Sequence, residues 1–188
     1  LSVDGWKFKD RKSAVVSISL VIVLLVAFTL AEYEMKRDHL DRVTQDANTA
    51  LEEVSTLMDQ RFSYAELLVG VVDRPAITQD VTASIALYHS SAKNPLLMSQ
   101  AYNQLDAALG VLQKTLFDEP VYLSCQPYYE KLVSLEDKLH DPVALFDAKA
   151  SLFNSLIEGK GFTARLVAKR SLVPLPLFDV ASALENRP

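Results

Sequence analysis

The sequence predicts an all-α protein: an N-terminal transmembrane helix followed by an elongated antiparallel up-and-down bundle of three to four long helices. Three observations carry that expectation. Residues Ser13–Ala31 form an uncharged run without proline or glycine. Downstream, apolar residues recur at spacings of three and four, the signature of helices that bury one face. Only 5 of 188 residues are glycine, β-branched runs outside Ser13–Ala31 are short, and no convincing period-two strand pattern occurs. The expected organisation is a short flank (1–12), a membrane helix (13–31), a helical bundle (32–161) and an irregular tail (162–188) packing on the bundle.

At ~1.5 Å per residue a helix over Ser13–Ala31 spans roughly 28 Å, close to the ~30 Å hydrocarbon core of a bilayer. Such a helix satisfies its own backbone polar groups, as lipid requires. Asp10, Arg11 and Lys12 bound the run on one side; Glu32, Glu34, Lys36 and Arg37 bound it on the other. Trp6 and Tyr33 fall near the two expected interfaces, where amphipathic rings are favoured. The competing reading is a secretory signal peptide with Ala27–Ala31 as its cleavage region, but the run is longer than the usual apolar segment of such a peptide. Lys7, Lys9, Arg11 and Lys12 against Lys36, Arg37 and Arg42 lean towards a cytoplasmic N-terminus with the bundle on the far side. The first residue is Leu1, so a processed or missing extreme N-terminus is expected.

The bundle helices follow in order. From Leu40, the residues Val43, Ala47, Ala50, Val54, Leu57, Tyr64, Leu68 and Val71 form one stripe. A second stripe of Leu51, Met58, Phe62 and Ala65 widens it. The spacing predicts one long helix, open to continuity with the anchor, ending at Asp73-Arg74-Pro75 because the residue before proline is pushed out of the α region. Arg61 lies on this stripe. Two readings are open for it: a side chain that snorkels to the edge, or a cation buried against a carboxylate or amide from another helix.

Thr78–Ser91 predicts a second helix and Leu96–Phe117 a third, separated by Lys93-Asn94-Pro95. Gly110 inside the third is expected to mark a close helix–helix approach. After Asp118-Glu119-Pro120, a fourth pattern runs from Tyr128 to Ile157, with Pro127 expected as its first helical residue. Asp141-Pro142 interrupts it without a change of phase, as a kinked helix or a near-collinear pair would. Gly159 and Gly161 end it. In the tail, Val173–Phe178 (VPLPLF) is incompatible with regular helix. Packing into a groove of its own bundle, membrane contact and partner docking are the readings open for it.

Chemistry is sparse. His39, His89 and His140 have no histidine or cysteine at ligand spacing. Cys125 is the lone cysteine and has no adjacent base. No phosphate loop, dinucleotide loop or nucleophile elbow is present. Glu52-Glu53 and Glu136-Asp137 read as solvated carboxylate pairs, since neighbours on a helix diverge. A net charge of −5 gives no reason to expect a nucleic acid. No catalytic, cofactor-binding or metal residue is assigned and no cofactor is expected.

Several segments, in order, resemble the LemA family of bacterial membrane-anchored helical proteins. Residues 57–69, LMDQRFSYAELLV, are similar to the family's first-helix pattern, with Arg61 on its second basic position and Leu68-Val69 at its end. Residues 103–112, NQLDAALGVL, match its N-Q-L-x-x-A-L-G-x-L segment. Pro120 looks like its Tyr-Pro turn, and Phe153-Asn154 like its Tyr-Asn motif. Phe162 with Leu166, Val167 and Ala168 is similar to its F-P-x-N-L-[IV]-A segment. Pro174 with Leu177-Phe178-Asp179 resembles its terminal P-x-x-F-F-E. Gln60, Leu51, Thr163 and the stretch around Gly159-Lys160-Gly161 depart from the pattern, so the chain reads as a divergent member.

The resemblance implies a transmembrane helix, an elongated bundle and no established catalytic activity; the family has also been drawn with its bundle cytoplasmic. Arg61, Asn103 and Asn154 coincide with family motifs beside apolar stripes and are expected to form a polar network fixing helix register. The functional expectation is a non-enzymatic scaffold or adaptor, single-pass in a bacterial cell membrane. Its partners would be the lipid bilayer and a protein, or a second copy, met through the bundle or through a tail surface of Arg165, Lys169, Arg170 and Phe178. The alternative is a ligand-sensing membrane-anchored four-helix bundle. Receptors of that kind usually add a second span and a signalling module, which these 188 residues do not contain.

Overall fold

The computed structural model describes residues 11–159 and 172–178. Four helices follow one another: α1 (Arg11–Val72), α2 (Pro75–Ser90), α3 (Pro95–Leu116) and α4 (Tyr122–Ile157). No strand occurs among the described residues, and the protein is all-α. The chain divides into two compact units; one takes the described residues up to 42 together with 155–159 and 172–173, the other 43–154 and 174–178.

In the first unit, α1 is long and apolar enough to cross a membrane. Its large apolar side chains from Val15 to Leu30 are all 51–69% exposed, so the apolar surface runs round the whole helix. Thr29, near the end of the run, returns its hydroxyl to the Val26 carbonyl at 2.9 Å. Beyond Ala31 the surface turns ionic. Lys36 pairs with Glu32 at 2.7 Å, and Arg37 reaches Glu34 at 3.5 Å and Asp41 at 3.8 Å. Such exposed pairs at helical spacing contribute a few tenths of a kcal/mol each, about 0.2–0.5.

The second unit is the bundle. The buried line on α1 is Val43, Ala47, Ala50, Val54, Met58, Phe62, Ala65, Leu68 and Val72. Cross-links fix the helix directions. Arg61 meets Glu136 and Asp46 meets Lys149, so α1 and α4 are antiparallel. Tyr88 reaches Asp59 and Ser55, its ring stacked on Phe62 with centroids 4.0 Å apart and planes 5° from parallel. The α2–α3 hairpin packs on itself. Met98, Tyr102, Leu105, Leu109, Leu112 and Leu116 of α3 share one core with Leu132, Leu139 and Phe146 of α4.

Turn chemistry sets the boundaries. Asp73 closes α1 in the left-handed region (φ 46°), its N–H bonded to the Val69 carbonyl at 3.0 Å, and Pro75 opens α2. Ala92 and Lys93 both adopt left-handed φ in the α2–α3 turn. Asn94 then caps α3, its Oδ1 accepting from the Leu96 and Leu97 N–H groups, with Pro95 as first helical residue. Satisfying two orphan donors with one side chain is the usual role of an N-cap asparagine.

Two expectations are corrected here. Pro127 does not start α4, which begins at Tyr122 and carries both Pro127 and Pro142 inside it. Each proline removes one bond to the carbonyl four residues back. Those residues, Leu123 and Lys138, are exposed, so water can take the place of the missing N–H and the helix continues. Gly110 marks no close approach; it is exposed, and a Cβ built there meets nothing within 4 Å. Gly110→Ala is therefore expected to stabilise the bundle by about 0.5–1 kcal/mol, the helix-propensity difference. A rise in thermal midpoint with unchanged helical content checks it.

Candidate functional site

The most elaborate polar arrangement lies inside the bundle. Helical spacing carries Arg61 inward between Met58 and Ala65, where its side chain is 2% exposed. Its Nη2 donates to Asp106 Oδ1 of α3 at 3.0 Å and to Glu136 Oε2 of α4 at 3.3 Å. The guanidinium carbon sits 4.3 Å from the centroid of the Tyr102 ring, so the cation's face is covered by an aromatic quadrupole as well as bonded at its edge. Its Nε and Nη1 are buried with no hydrogen-bond partner among the described residues. Burial pushes the Tyr102 hydroxyl up to about 12, against the downward pull of the Arg61 charge.

Four side chains from three helices thus meet at one level of the core. They fix the rotation and height of α1, α3 and α4, because sliding any helix by a turn would strand a buried charge. The arrangement contains no nucleophile beside a base. Among the described residues, no group of three or more histidines, cysteines or acids is placed to hold a metal.

The sequence-predicted residues are distributed as follows. Arg61 is the buried cation of the two readings, not an edge residue. Its hydrogen-bond partners are the carboxylates of Asp106 and Glu136. Asn103 is half-buried on α3. Asn154 lies elsewhere on α4, its amide bonded both ways to the backbone of Leu175: Nδ2 donates to the carbonyl at 3.0 Å and Oδ1 accepts from the N–H at 2.8 Å. Glu136 corrects the expectation of a solvated pair, being 6% exposed while Asp137 stays on the surface. The missed signal is in the spacing: Glu136 falls four after Leu132 and three before Leu139, on the buried line.

Of the tail surface, Arg165, Lys169 and Arg170 lie outside the described residues. Phe178, expected to face a partner, is instead 7% exposed and set edge-on to Phe146 at 5.4 Å. Its N–H donates to Asp147 Oδ1 at 2.9 Å. The segment Pro174–Phe178 is therefore a strap on its own bundle. Burial pushes the Asp147 carboxyl up, with the Phe178 N–H pulling the other way. A raised folded-state value means the folded chain holds this proton more tightly than the unfolded chain. Its contribution to stability is full below the ordinary aspartate range and is lost as pH rises through the raised value. Asp147→Asn keeps an acceptor but carries no charge. It is expected to remove the loss of stability that sets in as pH rises above the ordinary aspartate range without lowering the midpoint at neutral pH, as denaturant titrations at a series of pH values would show.

The remaining candidates are bland. His89 bonds Glu66 at 2.8 Å and His140 bonds Asp141 at 3.2 Å, both on the surface. Cys125 is fully buried, and burial pushes its thiol up, the opposite of an activated nucleophile. Two open clefts flank α2, of about 690 Å³ over Val69, Pro75 and Thr82 and about 300 Å³ over Asp80, Ser84 and Val111. Among the described residues, Asp80 is the one ionisable side chain lining them.

Comparison with protein-family models, curated proteins and solved structures finds no match.

Proposed function

We propose that this chain is a non-enzymatic, LemA-like membrane-anchored scaffold or adaptor of a bacterial envelope. The observation that carries the reading is α1, whose apolar side chains are exposed on every side over a bilayer's length. Three further features support it. The buried Arg61 ties α1 to α3 and α4 through Asp106 and Glu136. The motif order from Arg61 through Asn103–Leu112 to Phe178 follows that of the family. The basic residues preceding the span favour a cytoplasmic N-terminus with the bundle outside.

Affinity purification from mild-detergent membranes tests the reading, run on the intact chain and on a variant with Arg165, Lys169 and Arg170 changed to glutamate. A stoichiometric protein retained by the first and lost from the second is the expected result. Turnover of a small molecule by the purified chain would overturn the non-enzymatic reading.

A further inference from the structure

We propose that the groove over Asp147 and Asn154 is a recognition site for an extended Leu-Pro-Leu-Phe segment, and that the Pro174–Phe178 strap of a second copy of this chain can occupy it. The inference rests on the scaffold reading and says how such a scaffold would assemble.

The strap shows what the groove recognises. Its prolines, Pro174 and Pro176, fix φ in the polyproline range and remove two N–H donors that would otherwise need partners. With three residues per turn in that conformation, residues three apart share a side. Leu175 and Phe178 are that pair. Leu175 is half-buried and Phe178 buried, while Pro174, Pro176 and Leu177 are exposed. The bundle reads the backbone at the same two positions, through the Asn154 amide on Leu175 and the Asp147 carboxylate on the Phe178 N–H. Phe146 supplies the wall for the aromatic ring. Backbone reading plus one aromatic pocket is how aromatic-lined grooves take stiff proline-rich ligands, which lose little entropy on binding.

The second copy is the occupant because its strap presents the same groups to the same groove. Reciprocal exchange of an identical element keeps every contact and closes with two-fold symmetry. Residues 158–173 lie between the end of α4 and the strap. Fully extended, such a length reaches roughly 50 Å, about the scale of a neighbouring small bundle. Anchored copies also meet in a plane, which raises their effective concentration.

The test uses two full-length variants, differently tagged, in phospholipid vesicles. Asn154→Ala breaks the groove and keeps the strap; Phe178→Ala breaks the strap and keeps the groove. Circular dichroism confirms that each retains its helices. Mixed together, they can form one intact groove–strap pair, and cross-capture is expected to exceed self-capture of either variant at least tenfold. Equal capture in all combinations would overturn the proposal. A labelled Leu172–Phe178 peptide gives a second readout. It is expected to bind the Phe178→Ala chain and not the Asn154→Ala, Phe178→Ala double variant. No difference between those two would overturn the groove. Peptide binding without cross-capture would overturn the second copy as its occupant. None of these readouts depends on which foreign protein the scaffold holds.

Discussion

Arg61→Ala is expected to lower the unfolding free energy of the bundle by about 3–5 kcal/mol, the usual cost of removing one partner from a buried ion pair. Against a total of about 5–15 kcal/mol for a domain, that is enough to leave much of the protein unfolded at growth temperature. The loss has two parts. Asp106 and Glu136 are left in the interior without the cation that offsets their desolvation, and Tyr102 faces a void where the guanidinium lay. Arg61→Lys should recover only part of it, because a compact ammonium has no planar face to lay on the Tyr102 ring. Replacing the three charges together, as Arg61→Met with Asp106→Leu and Glu136→Leu, should return stability to near or above the starting value. Denaturant titrations in detergent, followed by circular dichroism, measure all three. A cost below about 1 kcal/mol for Arg61→Ala, typical of a surface pair, would show that the cluster does not hold the register.

The second large effect concerns the apolar run of α1. Ile22→Asp combined with Leu25→Asp puts two like charges at the middle of the apolar run. Each costs about 2.5–3.5 kcal/mol at the centre of a span, so partition into the bilayer should fall by roughly four powers of ten. The unaltered chain should stay with membranes through alkaline carbonate washing, and the double variant should be released. Release of both would remove the membrane from the account; retention of both would mean that a surface other than Ser13–Ala31 holds the protein there.

Much of the architecture was legible because it depends on local rules. Periodicity located the α1 stripe, Asn94-Pro95 marked the start of α3, and Asp73 before Arg74-Pro75 marked the end of α1. What failed depends on neighbours. Pro127 resembles a helix start by local preference, yet a proline near an exposed end is cheap enough for packing of Cys125 and Tyr129 to extend the helix past it. Gly110 resembles a contact point, but only the placement of α3 shows that its side faces outward. The site was half legible. Arg61 on an apolar stripe left two readings open, a side chain snorkelling to the edge or a cation buried against a partner from another helix. Which carboxylate supplies it could not be read, because Asp106 and Glu136 lie 45 and 75 positions away and either could have pointed to water.

The lone thiol gives the bundle a built-in clock. Cys125 is fully buried near the start of α4, close to Tyr129, and no second cysteine competes with it. A thiol reagent reaches it only when that end of the bundle opens. When reclosing is faster than reaction, the labelling rate is the intrinsic rate scaled by the fraction of time spent open. The unaltered chain can thus report how often its α3–α4 end breathes, with no probe introduced.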